Sequence, residues 1–125
     1  MLYTLALFAL QPIRFIDLYE WRKLSELERC AIGTFWKSVG DALDVSYEKL
    51  PSGKTGFRDG IQWLEEIDAW SEEYEAKCMV PDDKNREMAD QTTAVLVYML
   101  PKMLHPVGLQ AVSFMMDDRL RKAML

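Results

Sequence analysis

Histidine and cysteine are scarce in this sequence, which contains one His, at position 105, and two Cys, at positions 30 and 78. A structural zinc site needs four closely spaced Cys or His ligands, so a zinc finger is excluded and no metal site is predicted. Two cysteines without C-x-x-C spacing also exclude a disulfide scaffold. The sequence therefore favours a reducing compartment, and we expect a cytoplasmic location.

Basic residues are in deficit, because 15 Lys and Arg stand against 20 Asp and Glu and give a net charge of −5. A nucleic-acid-binding protein carries a basic stripe, so nucleic acid is not predicted as a partner. The acidic residues are densest between residues 57 and 90. A solvated acidic face is the simplest interpretation of this segment, and a docking face for a basic partner is the alternative.

Long apolar runs are absent as well. A transmembrane helix needs about 20 consecutive apolar residues, and the uncharged stretch before Arg14 is shorter than that. The same stretch lacks the basic residues that open a secretory signal, so neither an anchor nor a signal is predicted. Its apolar pattern begins at Leu2 without a capping residue, which indicates that the chain starts inside a helix.

Half of the residues are apolar, and their spacing is mostly helical. No alternating strand pattern bounded by turn residues occurs. We therefore predict an all-α fold, a single domain over residues 1–125 with about five or six helices. Pro12 predicts a kink or a restart in the first helix, because proline lacks the N–H and clashes with the preceding turn.

Capping residues predict where the later helices begin. Ser25 and Glu28 form a capping box, an Asp follows Pro81, and Asp117 and Asp118 precede the last helix. Behind the capping box, a repeat of four predicts a core stripe of Leu27, Ala31, Phe35, Val39 and Leu43.

Turn residues between positions 44 and 56 predict a loop, and an amphipathic helix is predicted from about Phe57 to Lys77. Its predicted core face consists of Ile61, Leu64, Ile67, Trp70, Tyr74 and Cys78. Its predicted solvent face consists of Glu65, Glu66, Asp68, Glu72, Glu73 and Glu75. Seven consecutive apolar residues at positions 94–100 fit either a strand or a buried helix. The helical spacing of Met88, Thr92, Val95, Leu96 and Met99 favours a helix that ends at Pro101, and Pro106 suits the first turn of the next helix.

Residues 52–55 read SGKT and end like a phosphate-binding loop. That motif needs a glycine at position 48, where this sequence has Glu48. The motif also follows a strand, and no strand is predicted before this segment. A plain turn is therefore predicted rather than a nucleotide site. Asp59, Glu65 and Glu66 could form an acid–base pair of the kind found in glycosidases, but solvation on the acidic face is the simpler interpretation.

His105 is the one imidazole that could ligate haem iron or transfer a proton near neutral pH. Its position beside Pro106 favours a capping or surface role. Cys30 could act as a nucleophile only with His105 as its base, and a small buried side chain is the simpler interpretation. Four late methionines could line an adaptable pocket, although core filling is expected: Met99, Met103, Met115 and Met116.

The sequence resembles the fungal ER-bound oxygenases of the mycophenolic acid (MpaB) type, which belong with the latex-clearing rubber oxygenases to an all-helical haem family. The resemblance rests on residues 2–14 and 19–22, on LERC at 27–30, FWKSVGD at 35–41 and LPSGKTGF at 50–57, on residues 63–66, 74–75 and 79–81, and on DDRLRKAM at 117–124. It covers nearly all of this chain and the C-terminal part of a family member.

The resemblance implies an oxygenase that uses haem b and dioxygen to cleave an isoprenoid C=C bond in fungal secondary metabolism, with possible ER association. In the family, the haem ligand lies before the stretch that matches Leu2, so no catalytic or cofactor-binding residue is assigned here and no haem is expected on this chain alone. The alternative is a non-catalytic helical remnant or interaction domain without a cofactor.

The resemblance also implies that the first helix packs against upstream helices in a family member. Five of its apolar residues are therefore expected to be incompletely buried in this chain: Leu2, Leu5, Leu7, Phe8 and Leu10. We expect self-association, or binding of a protein partner, through this helix.

Overall fold

A computed structural model describes residues 1–124 of the chain. This part of the chain forms six α-helices and contains no β-strand, which confirms the predicted all-α fold. The helices are α1 (Leu2–Tyr19), α2 (Glu26–Ala42), α3 (Gly60–Cys78), α4 (Asp83–Val97), α5 (His105–Met115) and α6 (Asp118–Met124), and a single 3₁₀ turn spans Lys102–Leu104.

The chain divides into two compact units, residues 1–74 and residues 75 onwards. The first unit contains α1, α2 and most of α3. The second unit contains the last residues of α3 together with α4, α5 and α6.

The hydrophobic core of the first unit lies between α1, α3 and the loop before α3. Helix α1 contributes Leu2, Leu5, Ala6, Ala9, Leu10 and Ile13. Helix α3 contributes Trp63, Leu64 and Ile67, and the loop contributes Val45 and Leu50. These side chains form one buried cluster, with Tyr47 and Phe57 of the loop packed against it.

Helix α1 continues through Pro12 as one element, so the predicted restart is wrong. Leu10 and Ile13, on either side of the proline, are buried in the same core. This shared burial stabilises the helix across the missing hydrogen bond. The expectation of incomplete burial is wrong for Leu2, Leu5 and Leu10, whereas Leu7 is half-buried and Phe8 is exposed.

The capping box at the start of α2 is confirmed, because Ser25 accepts the backbone N–H of Glu28 and Glu28 accepts the backbone N–H of Ser25. Arg22 also donates to both carboxylate oxygens of Glu28, at 2.8 Å. Hydrogen bonds from Arg22 and Ser25 hold the pKa of Glu28 well below its ordinary value.

The predicted core stripe of α2 is wrong, because Leu27, Phe35 and Leu43 are exposed. The residues that α2 buries are Gly33 and Gly40. Glycines allow backbones to approach closely, and an added Cβ on Gly33 would lie 2.7 Å from the carbonyl carbon of Gly60. The first residue of α3 therefore packs directly on the backbone of α2.

Capping predictions in the second unit are confirmed. Asp82 accepts the backbone N–H of Lys84 at the start of α4, and Asp117 accepts that of Leu120 at the start of α6. Pro106 lies in the first turn of α5.

Burial in the second unit differs from the prediction. Of the apolar run at residues 94–100, only Val97 is buried, and α4 ends there. The expectation of core filling by methionine is wrong for Met99, Met103 and Met115, which are exposed. Glu75, predicted on the solvent face of α3, is only 4% exposed, and its Oε2 accepts a hydrogen bond from Arg119 at 3.1 Å.

Candidate functional site

His105 opens α5 and is half-buried. Its Nε2 lies 3.0 Å from the carbonyl oxygen of Leu100. Because a carbonyl oxygen only accepts, Nε2 donates in this contact and carries the proton. The imidazole therefore ties the first residue of α5 to the turn that follows α4.

The two cysteines are free thiols. Cys30 is half-buried on α2 and Cys78 is exposed at the end of α3. Cys30 belongs to the first unit and His105 to the second, where the His105 Nε2 contacts the carbonyl oxygen of Leu100.

The SGKT segment is held by α3. Ser52 donates its backbone N–H to Glu66 Oε2 at 2.9 Å and its hydroxyl to Glu66 Oε1 at 2.6 Å. Gln62 donates to both Ser52 Oγ and Glu66 Oε1. The backbone N–H of Gly56 returns to the carbonyl of Ser52 at 2.9 Å, so the segment forms a closed turn.

The three carboxylates considered for acid–base chemistry have separate roles. Asp59 caps the start of α3 by accepting the backbone N–H of Gln62, and that bond together with Arg58 lowers its pKa. Burial opposes ionisation of Glu66, but hydrogen bonds from Ser52 and Gln62 outweigh burial and lower its pKa. Glu65 is exposed. A general acid requires a raised pKa, whereas hydrogen bonds lower the pKa of both Asp59 and Glu66, so neither has the property that a general acid needs.

Glutamine at position 66 is expected to loosen the SGKT turn. Glu66→Gln replaces one acceptor oxygen with a donor that opposes Ser52, and the loss should be about 1–2 kcal/mol near pH 7. The pKa of Glu66 in the folded chain lies below its unfolded value near 4.3. Its contribution is therefore present above that value and lost as pH falls through the folded pKa.

Urea unfolding at neutral and acid pH measures this effect. The difference between Glu66→Gln and the parent chain should shrink below about pH 4. Glu65→Gln, one residue away and exposed, is the matched control and should change stability by less than about 0.5 kcal/mol. Equal losses in both variants would contradict the role assigned to Glu66.

A charged cavity of about 310 Å³ lies between the helices of the first unit. Arg14 pairs with Asp68 and Arg29 pairs with Asp17, each at 2.5 Å. These two ion pairs join α1 to α3 and α1 to α2 above an apolar floor that includes Ile13. Both guanidinium groups have carboxylate partners, and the two ion pairs connect the three helices around the cavity.

An apolar groove of about 730 Å³ runs along the outer face of α1. We call it the α1 groove. Its lining consists of Thr4, Leu7, Phe8, Gln11, Pro12, Phe15 and Ile16. None of these side chains is charged, and Phe8 and Phe15 are exposed. The absence of charged residues before Arg14 is the sequence feature that corresponds to this groove.

Haem requires an axial ligand such as His, Cys, Met or Tyr aimed into an apolar pocket. The α1 groove is lined by none of these residue types. The Nε2 atom of His105 is engaged with Leu100. Neither the α1 groove nor the Nε2 atom of His105 therefore supplies the axial ligand that a haem site needs. Within residues 1–124, no group of three or more His, Cys, Asp or Glu is placed to hold a metal ion.

The chain is similar to oxygenases from Penicillium. It is 76% identical over 125 residues to the ER-bound oxygenase mpaB' of Penicillium brevicompactum. It is 75% identical over 125 residues to the ER-bound oxygenase mpaB of Penicillium roqueforti (strain FM164), and 74% identical over 97 residues to mpaB of Penicillium brevicompactum. The chain is related to the ER-bound oxygenases. The resemblance predicted from the sequence is confirmed.

The chain spans 30%, 42% and 25% of the lengths of these three relatives, so it matches only a portion of each. No protein-family model and no solved structure matches it. None of the helices described between residues 1 and 124 is long and apolar enough to cross a membrane.

Proposed function

We propose that this chain forms part of an oxygenase that cleaves an isoprenoid C=C bond with dioxygen in fungal secondary metabolism. The observation that carries this proposal is the 76% identity to an ER-bound oxygenase over all 125 residues. Because the relatives are named ER-bound, we propose the same location for the oxygenase to which this chain contributes.

The net reaction needs only the substrate and dioxygen. The C=C bond breaks, each carbon receives one oxygen atom, and two carbonyl groups form, so no external reductant is consumed. Haem b would activate the dioxygen when bound. We propose that the haem ligand lies outside the described residues, since neither the α1 groove nor His105 offers one, and that this chain contributes the packed helices α1, α2 and α3.

A chimeric enzyme tests the proposal. The matched segment of mpaB' from Penicillium brevicompactum is replaced by residues 1–125 of this chain. Microsomes containing the chimera are then given an isoprenoid-bearing substrate and isotopically labelled dioxygen. We expect labelled carbonyl products at a rate within about tenfold of the unmodified relative, equivalent to about 1.4 kcal/mol in the barrier.

Two controls define the result. The relative with the matched segment deleted should form no product, which shows that the segment is needed. A chimera that accumulates to the level of the unmodified relative but forms no product would contradict the proposal.

A non-catalytic interaction domain is the second candidate, and the exposed apolar lining of the α1 groove favours it. This candidate predicts an inactive chimera, together with a binding partner for the isolated chain.

A further inference from the structure

We infer that the α1 groove is a docking surface for an apolar α-helix, supplied by the part of the oxygenase that lies outside the segment matched in the relatives. The choice of partner rests on the proposed function. The surface itself is formed by side chains of α1, one of which stacks on α2.

Helix α1 is apolar on two opposite faces. One face, which includes Leu5, Ala9 and Ile13, fills the core of the first unit. The opposite face carries Phe8 and Phe15 and is exposed. A helix with two apolar faces is typical of a position with neighbours on both of those faces. The exposed face is therefore the one that lacks its neighbour in the isolated chain.

The groove has the shape of a helix contact. From Thr4 to Ile16 its lining residues recur at intervals of three and four, which gives a straight stripe about 18 Å long. Its aromatic walls are held in place, because Phe8 stacks on Trp36 of α2 at 5.5 Å and Phe15 packs on Tyr19 at 4.6 Å. A second helix packs by inserting its own ridge of side chains into a groove between fixed ridges.

The lining of the groove selects an apolar partner. Its polar groups are one hydroxyl and one amide, from Thr4 and Gln11, and none of its residues is charged. A basic or acidic helix would have to bury its charge here without a counterion, which is costly. The occupant is therefore a helix whose contact face is aliphatic or aromatic.

The relatives contain a source for such a helix. The matched segment accounts for 30% and 42% of the two relatives that match along the whole chain, so most of each relative lies outside it. A second copy of this chain is a weaker candidate. A stripe about 18 Å long and 10 Å wide covers only about 200 Å², whereas a stable dimer buries about 800 Å² on each partner.

Photo-crosslinking identifies the occupant directly. Gln11→p-benzoylphenylalanine is introduced into the chimeric enzyme described above, and the crosslinked peptides are sequenced by mass spectrometry. We expect crosslinks to one apolar segment of the relative that lies outside the replaced region. Ser38→p-benzoylphenylalanine, at an exposed position on α2, is the control and should not label that segment.

Crosslinks from Gln11 to a second copy, to lipid or to other parts of residues 1–125 would overturn the inference. This readout needs no catalysis, so it stands apart from the product assay. An inactive chimera with the expected crosslink would contradict the proposed function and leave the docking surface intact.

Substituting the groove gives a second measurement. Phe8→Asp and Phe15→Asp should lower the melting temperature of the chimera by more than about 5 °C, and that of the isolated chain by less than about 2 °C. Leu18→Asp, also on α1 and exposed but outside the lining, is the matched control. Equal shifts in the chimera and in the isolated chain would contradict docking at this face.

Discussion

Gly33→Ala is expected to destabilise the first unit by about 3 kcal/mol. The new methyl carbon would lie 2.7 Å from the carbonyl carbon of Gly60 and closer still to the carbonyl oxygen. Both are backbone atoms, so no side chain can rotate to make room, and α2 would have to move away from the start of α3. A loss of this size is a large fraction of a typical net stability of about 5–15 kcal/mol.

The measurement is the urea midpoint of unfolding, followed by tryptophan fluorescence. Ala31→Ser adds one heavy atom at an exposed position of the same helix and is the matched control. It should change stability by less than about 0.5 kcal/mol. A Gly33→Ala chain as stable as the parent would show that the two helices do not meet at these glycines.

Trp63→Ala is expected to cost about 3–5 kcal/mol, because it removes the largest fully buried side chain of the core. The indole lies edge-on to the ring of Tyr47, with 6.3 Å between the ring centroids. Tyr47 in turn donates its hydroxyl to the carbonyl of Lys37 at 3.1 Å. Loss of the indole therefore removes a wall that positions the loop before α3.

Trp63→Phe distinguishes the contribution of the buried aromatic ring from that of the indole N–H group. Nε1 of Trp63 is buried and has no hydrogen-bond partner, so phenylalanine loses volume but also removes an unsatisfied donor. It should cost clearly less than Trp63→Ala in chemical unfolding followed by far-ultraviolet circular dichroism. Trp21→Ala, at a position 89% exposed, should be nearly neutral. Similar losses for Trp21→Ala and Trp63→Ala would contradict this assignment of the core.

The pKa of Tyr47 reflects the buried environment beside Trp63. Burial, reinforced by the nearby charge of Asp41, raises the pKa of this phenol to about 12. The hydroxyl therefore stays protonated and keeps its hydrogen bond to Lys37 throughout the neutral range.

The helix starts could be predicted because capping is local. Ser25 and Glu28 are three residues apart, and a capping box needs no information from the rest of the chain. The same is true of Asp82 and Asp117, whose partners lie two and three residues away. These features followed from neighbouring residues alone.

The buried face of α2 could not be predicted because its burial depends on another helix. Apolar residues repeating every four positions from Leu27 to Leu43 suggested one face, but the backbone of α3 lies against Gly33, on another face. Glycine carries no hydropathy signal that would reveal such an approach. Glu75 was misplaced for a similar reason, since its partner Arg119 is 44 residues away.

In the candidate site too, local features could be predicted and contacts between distant elements could not. The sequence correctly predicted that SGKT forms a turn. The hydrogen bonds that Ser52 and Gln62 donate to Glu66 were missed, because these bonds connect the turn to α3. The α1 groove corresponds to a visible sequence feature, an uncharged stretch before Arg14. Helix α1 has two apolar faces, and which of them fills the core depends on contacts with α3. Only the structure therefore distinguishes the two faces.

The division into two units has a spectroscopic consequence. All four tryptophans, at positions 21, 36, 63 and 70, belong to the first unit, and the second unit has none. Intrinsic indole emission therefore observes only residues 1–74, whereas peptide circular dichroism observes the helices of both units. A denaturation curve in which the two probes separate would resolve the units as independent cooperative blocks within one unlabelled sample.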